Sequence, residues 1–372
     1  MMATSEPLGA AAAGPQRTEH LSSDPVGVAV IGGGTISRLH LDAYRANPDA
    51  RLVTVCDIDA DRARDTAAQY GAPRWTTSYE EVLADDEVTA ISICTRNDTH
   101  AVIAAAALDA GKAVLVEKPL GRTSAEAQLV VDAQERSGLV AQVGFVRRFS
   151  PNAVVLKEFI EAGDLGALYY ATARNLRRAG NPGGWFADKE VSGGGPLVDV
   201  GVHFIDIAWW LLGTPEVATV SGFTADRLGD RDNLRHLSRY RSADAGTSAS
   251  TVEDLAGGLV RFTNGAVLSL EVSYSLHGRD DVGVKVYGDR GGAELEPELR
   301  ISTEAHDTIL EVTPQIDSLT FDMSAFDAEI GAFVAAVRGE GPRLAPVQDG
   351  LTVARIIEAI YASAERGREI EL

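Results

Sequence analysis

The chain has 372 residues, of which 54 are acidic and 34 are basic, and its formal net charge is −20. This length predicts two domains, and the composition, 45% hydrophobic and 24% charged, is typical of a soluble globular protein. The negative charge argues against binding to nucleic acid or to an anionic membrane. No apolar run reaches the ~20 residues that a spanning helix needs.

The N-terminal residues 1–25 lack the basic start and the long apolar run of a secretory signal, and they predict a flexible tail. The two cysteines, Cys56 and Cys94, each lie in an apolar, strand-like run. We therefore expect buried free thiols, a cytoplasmic protein and no metal centre.

Residues 26–31 form a short apolar run rich in β-branched side chains, which predicts a buried parallel strand. A glycine-rich turn and a helical pattern at residues 38–44 follow. Gly32 would allow the tight bend of a dinucleotide-binding turn, and Gly34 would let the backbone approach a pyrophosphate. Ser37 stands where the third glycine or alanine is expected, and it is small enough for close packing.

A second predicted strand, residues 51–57, ends in Asp57, which lies 23 residues after Gly34. A carboxylate at this point suits the ribose hydroxyls of the cofactor. It would repel the 2′-phosphate of NADP, and no arginine stands immediately beside it, so the sequence favours NAD. The alternative is that Asp57 caps the next helix.

Strands alternate with helices as far as residue 145, which predicts a doubly wound parallel sheet, the Rossmann fold, over residues 26–148. Ligands bind beyond the carboxyl ends of the strands in such sheets. Lys118 would lie at such an end, held by Pro119, although it could also be a surface lysine. The further strands are predicted at 72–78, 88–94, 112–119 and 139–145, and the helices at 79–83, 101–110 and 123–137.

Residues 149–372 predict a second, α+β domain with a large, mostly antiparallel open sheet. Asn264-Gly265 predicts a two-residue hairpin turn in this sheet, and residues 226–250 predict a long polar loop. Helices are expected at 152–162, 325–338 and 350–366. The irregular segment 177–186, with its arginines and aromatic residues, suits one wall of a polyol site.

Three glycines and Pro196 precede an apolar run at helical spacing, which predicts a tight turn followed by a buried helix. Asp199 and His203 would then lie four residues apart on one helix face. Such a pair is either a structural hydrogen bond or a general base with the carboxylate that orients it. The pair alone does not decide between these interpretations.

Four motifs occur in order along the chain: Gly32-x-Gly34, Thr95-x-Asn97-x-x-His100, Glu117-Lys118-Pro119 and Asp199-x-Gly201-x-His203. Together they resemble the glucose–fructose oxidoreductase and inositol dehydrogenase family (Gfo/Idh/MocA), over residues 26–372. Arg96 departs from the family pattern, which has proline there. This arginine could reach a cofactor phosphate or an acidic substrate.

The resemblance implies an NAD-dependent dehydrogenase that oxidises a secondary alcohol of a sugar, sugar derivative or cyclitol. In this interpretation His203 takes the hydroxyl proton, Lys118 stabilises the alkoxide and Asp199 orients His203. The implied cofactor contacts are Gly32, Gly34, Thr35, Ile36, Asp57, Thr95, Asn97, His100, Glu117 and Lys118. The implied substrate contacts are Lys118, Arg147, Arg178, Trp185, Asp199 and His203.

Two alternatives remain at this point. One keeps the chemistry but makes the enzyme a keto-sugar reductase, or a redox-neutral enzyme with a tightly bound cofactor. The other is a non-catalytic regulator that senses the dinucleotide, which the presence of Lys118, Asp199 and His203 disfavours. The family analogy further implies that residues 149–372 are the domain for substrate binding and oligomerisation, and that the protein is a homodimer or a homotetramer.

Overall fold

The structure is a computed structural model, and it describes residues 24–229, 231, 233–234, 236–237, 241–242 and 249–372. Nearly all of the predicted N-terminal tail and much of the predicted 226–250 loop lie outside these residues. Within the described ranges, no helix combines the length and the apolar character that crossing a membrane requires.

The first sheet is parallel throughout, with the strand order β3-β2-β1-β4-β5-β6. This is the predicted Rossmann arrangement. Its strands are β1 (Val26–Ile31), β2 (Ala50–Cys56), β3 (Arg74–Thr76), β4 (Ala90–Ile93), β5 (Ala113–Val116) and β6 (Ala141–Val143). Its helices are α1 (Ser37–Ala46), α2 (Ala60–Tyr70), α3 (Tyr79–Leu83), α4 (Asn97–Asp109) and α5 (Ser124–Ser137).

The sequence forms these elements for local reasons. All six residues of β1 are buried, as expected for a strand covered by helices on both faces. Thr123 caps α5 by accepting from the Glu126 N–H, and Gly138 ends that helix in the left-handed region. Helix α4 begins earlier than predicted, so Asn97 and His100 lie on its first turn and not in a preceding loop.

The second sheet has nine strands in the order β14-β13-β12-β11-β7-β10-β9-β8-β15, and only the β7–β10 pair is parallel. The mostly antiparallel open sheet is therefore confirmed. Its strands are β7 (Leu168–Leu176), β8 (Val217–Ala225), β9 (Leu255–Phe262), β10 (Val267–Ser273), β11 (Asp281–Gly288), β12 (Gly291–Glu296), β13 (Arg300–Ala305), β14 (Thr308–Val312) and β15 (Ile370–Glu371). The helices are α6 (Pro151–Glu161), α7 (Lys189–Ser192), α8 (Val202–Leu211), α9 (Ser324–Val337) and α10 (Val347–Arg366), with short 3-10 turns at Val146–Phe149 and Gly184–Ala187 and a π-helical turn at Leu197–Gly201.

The hairpin between β9 and β10 occurs where Asn264-Gly265 predicts it, but its loop is longer than two residues. The Phe262 N–H donates to the Ala266 carbonyl oxygen at 2.9 Å, so residues 263–265 form the loop. Gly265 takes the left-handed position, with a φ of +88°. Strands β13 and β14 have no counterpart in the sequence analysis.

The two C-terminal helices join the two sheets. Helix α9 packs on α1 of the first sheet, where Ile330 and Phe333 are fully buried. Helix α10 crosses β8, and a Cβ on Gly222 would lie 2.6 Å from the Ile360 carbonyl oxygen. Glycine therefore allows the helix to approach this strand closely. In the described part of the chain, α6, α8 and α10 pack on one face of the second sheet, and the other face, with the exposed Phe223 and Tyr287, has no helix on it.

Candidate active site

The glycine-rich turn after β1 has the geometry that a bound dinucleotide needs. Gly32 has a φ of +100°, and a Cβ there would lie 2.5 Å from the Cys94 carbonyl oxygen, so only glycine fits. A Cβ on Gly34 would meet nothing within 4 Å, which leaves open space for a phosphate group beside the turn. The buried Ser37 hydroxyl donates to the Gly34 carbonyl oxygen at 2.7 Å, so Ser37 fits at the position of the third glycine.

Asp57 lies directly after β2 and its side chain is 6% exposed. Its carboxylate accepts from the Gly33 N–H at 2.7 Å and from the Asp59 N–H at 2.9 Å. Asp59, and not Asp57, caps α2, so the capping alternative for Asp57 is wrong. Thr35 is exposed and Ile36 is half-buried at the start of α1, beside the same edge of the sheet.

One neighbour of Asp57 was missed by the sequence analysis. Arg62, from the first turn of α2, places Nη1 3.6 Å from Oδ1 of Asp57. No arginine is adjacent to Asp57 along the chain, but the helix brings one beside it in space. The preference for NAD therefore depends on the Asp57 carboxylate alone. The lack of an arginine next to Asp57 in the sequence does not support it, because Arg62 lies beside Asp57 in space.

The predicted cofactor residues after β4 are engaged largely with the protein itself. The Asn97 amide donates to the Ser192 carbonyl oxygen at 2.7 Å, which links the two domains. His100 is buried, with Nδ1 2.7 Å from the Pro119 carbonyl oxygen and Nε2 3.1 Å from that of Thr95. Its main contribution in this structure is to fasten the turn after β5 to α4.

Arg96, the departure from the family pattern, forms an ion pair with Asp98 at 3.0 Å. Its side chain is exposed, and this pair accounts for its orientation.

Glu117 is buried at the end of β5, where its Oε1 lies 2.9 Å from His40 Nε2. Burial raises the pKa of Glu117, but the His40 hydrogen bond and the nearby Lys118 charge outweigh it and hold the pKa below the usual range. Ser92 and Tyr44 extend this buried network, since the Ser92 hydroxyl lies 3.2 Å from His40 Nδ1 and 2.7 Å from the Tyr44 hydroxyl.

Lys118 reaches from the first sheet to the second domain. Its Nζ donates to Oδ1 of Asp199 at 3.0 Å and to the Asp199 carbonyl oxygen at 2.9 Å. The Tyr274 hydroxyl donates to Oδ2 of the same carboxylate at 2.9 Å. Burial raises the pKa of Asp199, but the Lys118 ammonium and the Tyr274 hydroxyl outweigh it and lower the pKa. The side chain is therefore a carboxylate that fixes the position of the lysine.

The predicted stacking of Asp199 on His203 differs in the structure. Residues Leu197–Gly201 form a π-helical turn, and α8 begins only at Val202. A π turn holds more residues than an α turn, so residues four apart do not line up on one face. The two carboxylate oxygens of Asp199 bind Lys118 and Tyr274, and we find no hydrogen bond from Asp199 to His203 among the described residues.

Glu253 supports the π-helical turn from outside. Its carboxylate accepts from the N–H groups of Gly195 and Leu197 at 3.0 and 3.2 Å, and from the Tyr361 hydroxyl at 2.9 Å. A Cβ on Gly195 would lie 2.2 Å from the Glu253 carbonyl oxygen. Glycine at position 195 is thus required by this close packing.

His203 is half-buried at the start of α8, and its Nδ1 has no hydrogen-bond partner within the described part of the chain. Burial lowers its pKa well below the usual range, and the positive charges of Lys118, Arg147 and Arg177 add to the effect. The imidazole is therefore neutral at pH 7 and able to accept a proton.

The three other predicted substrate residues are not equivalent. Arg147 contributes to the electrostatic field at His203 while its guanidinium pairs with Glu296. Arg178 is paired instead with Asp280 at 3.4 Å, and no contact among the described residues joins it to His203. Trp185 stacks on the neighbouring Phe186 ring, with ring centroids 3.8 Å apart, and no described contact joins it to Lys118 or Asp199.

Two residues of the site were missed by the sequence analysis. Tyr274 follows β10 and contacts Asp199 directly, but nothing in the sequence distinguishes it from a core tyrosine. Arg177 acts electrostatically on Asp199, His203 and Tyr274, whereas the sequence analysis selected its neighbour Arg178. The alternation of side chains after Ala171, Ala173 and Asn175 was the signal that could have separated the two arginines, because it assigns Arg177 and Arg178 to opposite faces.

The glycine turn, Asp57 and the Lys118–Asp199 pair next to a neutral histidine define an NAD-dependent oxidoreductase with a Rossmann domain. The matching family models agree. The model of an oxidoreductase family with an NAD-binding Rossmann fold, Gfo/Idh/MocA, matches residues 26–145. The model of its C-terminal alpha/beta domain matches residues 157–372. The chain belongs to the Gfo/Idh/MocA family, as the four motifs predict.

Several relatives and solved structures resemble the chain over most of its length. D-glucoside 3-dehydrogenase of Escherichia coli (strain K12) is 32% identical, covering 95% of this chain and 99% of that protein. Inositol 2-dehydrogenase 2 of Saccharopolyspora erythraea is 29% identical, with coverage of 91% and 93%. The structure of levoglucosan dehydrogenase in complex with NADH and levoglucosan has a TM-score of 0.82 at 25% identity, with coverage of 94% and 99%.

These findings confirm the predictions of an oxidoreductase that acts on CH–OH groups and of NAD as its cofactor. The open space beside Gly34 and the Asp57 carboxylate fit that dinucleotide.

Proposed function

We propose that this protein is an NAD-dependent dehydrogenase that oxidises a secondary alcohol of a sugar, a sugar derivative or a cyclitol. The observation that carries the proposal is the Lys118–Asp199 ion pair beside a neutral His203. The names of three relatives support the substrate class, because they are dehydrogenases of a glucoside, levoglucosan and an inositol.

The geometry of the side chains supports the following roles. NAD, when bound, accepts the hydride from the carbinol carbon. The neutral His203 imidazole takes up the hydroxyl proton, and the Lys118 ammonium stabilises the negative charge that develops on the oxygen. Asp199 and Tyr274 hold Lys118 in place, so Asp199 orients the lysine and not the histidine.

The proposal is tested by following NADH absorbance with a panel of free sugars, glycosides, inositols and sugar phosphates, with NAD and NADP in parallel. We expect reduction of NAD with at least one polyol. As a cofactor control, Asp57→Ala should weaken NAD binding ~10-fold or more, because charge-assisted hydrogen bonds to the ribose are lost. Unchanged NAD affinity in this variant would remove Asp57 from the ribose site.

The other outcomes of the panel point to the alternatives. Oxidation of added NADH by keto-sugars, without the forward reaction, would indicate a reductase. Transfer between two sugars without net NADH would indicate a redox-neutral enzyme. NAD binding without turnover in either direction would contradict the dehydrogenase and favour a regulator.

We further propose that the open face of the second sheet joins copies of the chain into a homodimer or a homotetramer. Tyr287 and Phe223 are 37% and 46% exposed on this face, and Tyr287 stacks on Tyr170 with ring centroids 5.7 Å apart. Exposed aromatic side chains of this kind are enriched at interfaces. Sedimentation should show an oligomer that Tyr287→Lys weakens, and a monomeric wild-type protein would contradict the proposal.

The cytoplasmic location stays a prediction. Cys56 and Cys94 are both buried free thiols, a state that is common for cysteines in a reducing compartment. Fractionation of the native host cells is the measurement that tests it.

A further inference from the structure

Arg177 stands just beyond β7, on the side of the second sheet that carries α8. Side chains alternate along a strand, and Ala171, Ala173 and Asn175 are the buried ones. Arg177 continues this series, and its Nε donates to Asn175 Oδ1 at 3.0 Å. Its backbone N–H donates to the Ser273 carbonyl oxygen at 3.2 Å. The residue is therefore held next to Tyr274, the tyrosine that contacts Asp199.

The charge of Arg177 is not matched by a carboxylate. Its neighbours on the opposite face are matched, since Arg174 pairs with Glu271 at 2.7 Å and Arg178 pairs with Asp280 at 3.4 Å. Within the described ranges, no carboxylate lies within ion-pair distance of Arg177. Its described side-chain partner is the neutral amide of Asn175.

Among the cationic side chains of the site, Arg177 is the one without a carboxylate partner in the residues that the structure describes. Lys118 is paired with Asp199, and Arg147 is paired with Glu296. The side chain of Arg177 is exposed to solvent. It lacks a carboxylate partner in the described ranges even though the chain as a whole has a net charge of −20. A guanidinium presents several N–H donors in a planar fork that matches the oxygens of a carboxylate or a phosphate.

We propose that Arg177 binds an anionic substituent of the substrate, so that acidic sugar derivatives are preferred over neutral ones with the same ring. This inference rests on the proposed dehydrogenase activity, and it makes Arg177 the residue that determines specificity. The anion is either a carboxylate, as in a sugar acid, or a phosphate, as in a sugar phosphate.

The test compares three substrates that share one ring: methyl β-D-glucopyranoside, its C6 carboxylate and its 6-phosphate. We expect kcat/KM for one of the two anions to exceed that of the neutral glycoside by ~10-fold or more. Whichever anion reacts better identifies the substituent. In Arg177→Met the preference should fall to within about threefold, because the charge-assisted hydrogen bonds are lost.

Arg174→Met is the matched control, since it removes the same charge from the other face of the same strand. It should keep the preference of the wild-type protein, because Arg174 lies on the opposite face. The ratio of kcat/KM for the anionic and the neutral substrate is also insensitive to a general loss of active enzyme. Arg177→Lys retains the charge without the fork, and it should keep part of the preference. If Arg177→Met does not fold, Arg177→Lys takes its place as the test variant.

Equal kcat/KM values for the three substrates, or a preference that persists in the Arg177 variants, would overturn the inference. If no substrate is oxidised, calorimetry of the C6 carboxylate and the 6-phosphate with the enzyme–NADH complex separates the two proposals. If an anion binds and Arg177→Met weakens that binding, the Arg177 site is supported while oxidation of this glucoside ring is rejected, and the wider panel of sugars and inositols decides the dehydrogenase activity. No binding of either anion would reject the inference as well.

Discussion

Asp199 and Asp206 lie seven residues apart on one helical run and each binds a cation, yet their surroundings differ. Asp206 is 1% exposed, and Nε of Arg148 lies 3.1 Å from both of its oxygens. The same guanidinium binds Asp349 at 2.7 Å, which joins α8 to the start of α10. This cluster is buried and its charges are satisfied within the protein.

The cluster around Asp199 is less complete. Asp199 holds Lys118, but the adjacent His203 has a buried Nδ1 without a partner in the described part of the chain. Arg177, beside it, lacks a carboxylate there. Buried polar groups are usually satisfied when their role is structural. One run of helix therefore carries a satisfied, buried ion pair at Asp206 and, at Asp199 and His203, the polar groups that we propose for the reaction.

The largest expected effect concerns the reactive site. His203→Asn should lower kcat by ~10²–10⁴-fold, because it removes the proton acceptor, while NAD affinity and the free energy of unfolding change little. In the wild-type protein the acid limb of kcat/KM should lie below pH 6.5, since activity is lost only as pH falls through the lowered pKa of His203. Wild-type turnover in the variant, in a stopped-flow assay of NADH formation, would remove His203 from the mechanism.

The second effect concerns the structural cluster. Arg148→Met should lower the free energy of unfolding by ~3–5 kcal/mol, because it leaves the Asp206 carboxylate buried without its partner. Urea unfolding measures this loss. Arg261→Met, which breaks an exposed ion pair with Glu369, is the control and should cost much less. Equal losses in the two variants would remove the contrast between a buried and an exposed pair.

The third effect sharpens the assignment of Asp199. Tyr274→Phe removes one of the two groups that hold this carboxylate, and kcat should fall ~10–100-fold. The variant keeps its NAD affinity, because Tyr274 touches Asp199 and not the nucleotide turn. A change confined to KM would show that Tyr274 binds substrate and does not position Lys118.

The smallest effect concerns a carboxyl group outside both clusters. Glu329 on α9 is fully buried, and neither carboxylate oxygen has a partner within the described residues. Burial, with Glu117 and Asp206 nearby, raises its pKa well above the usual range. The folded state thus keeps a proton that the unfolded state loses near pH 4.3, so this group favours folding only at low pH, and that stability is lost as pH rises.

Glu329→Gln should remove this dependence. Above about pH 5 the free energy of unfolding of the wild-type protein should fall relative to the variant as pH rises, with a slope of at most ~1.4 kcal/mol per pH unit, the value for one proton. Asp327→Asn on the exposed side of α9 is the control and should follow the wild-type slope. Parallel curves for the wild-type protein and Glu329→Gln would mean that Glu329 is ionised in the folded state.

The sequence by itself determined the features that depend on local order along the chain. Buried β-branched runs, glycines at fixed offsets and an acid at the end of β2 were sufficient to predict the Rossmann domain, its cofactor and the edge of the sheet where the site lies. The order of the motifs was sufficient to predict the family, and the catalytic roles of Lys118, Asp199 and His203 stay predictions. These features follow from backbone geometry and residue spacing.

The tertiary structure alone decided which of these residues act on one another. The sequence placed Asp199 with His203, because four residues make one α turn, but the packing of Glu253 and Tyr361 shapes a π turn that directs Asp199 to Lys118. Tyr274 is distant from Asp199 along the chain, and only the fold brings the two into contact. Helix α2 brings Arg62 beside Asp57. Arg177 lies on the same side of the second sheet as the buried residues of β7. Electrostatic interactions depend on distances in space, and spacing along the chain does not fix those distances.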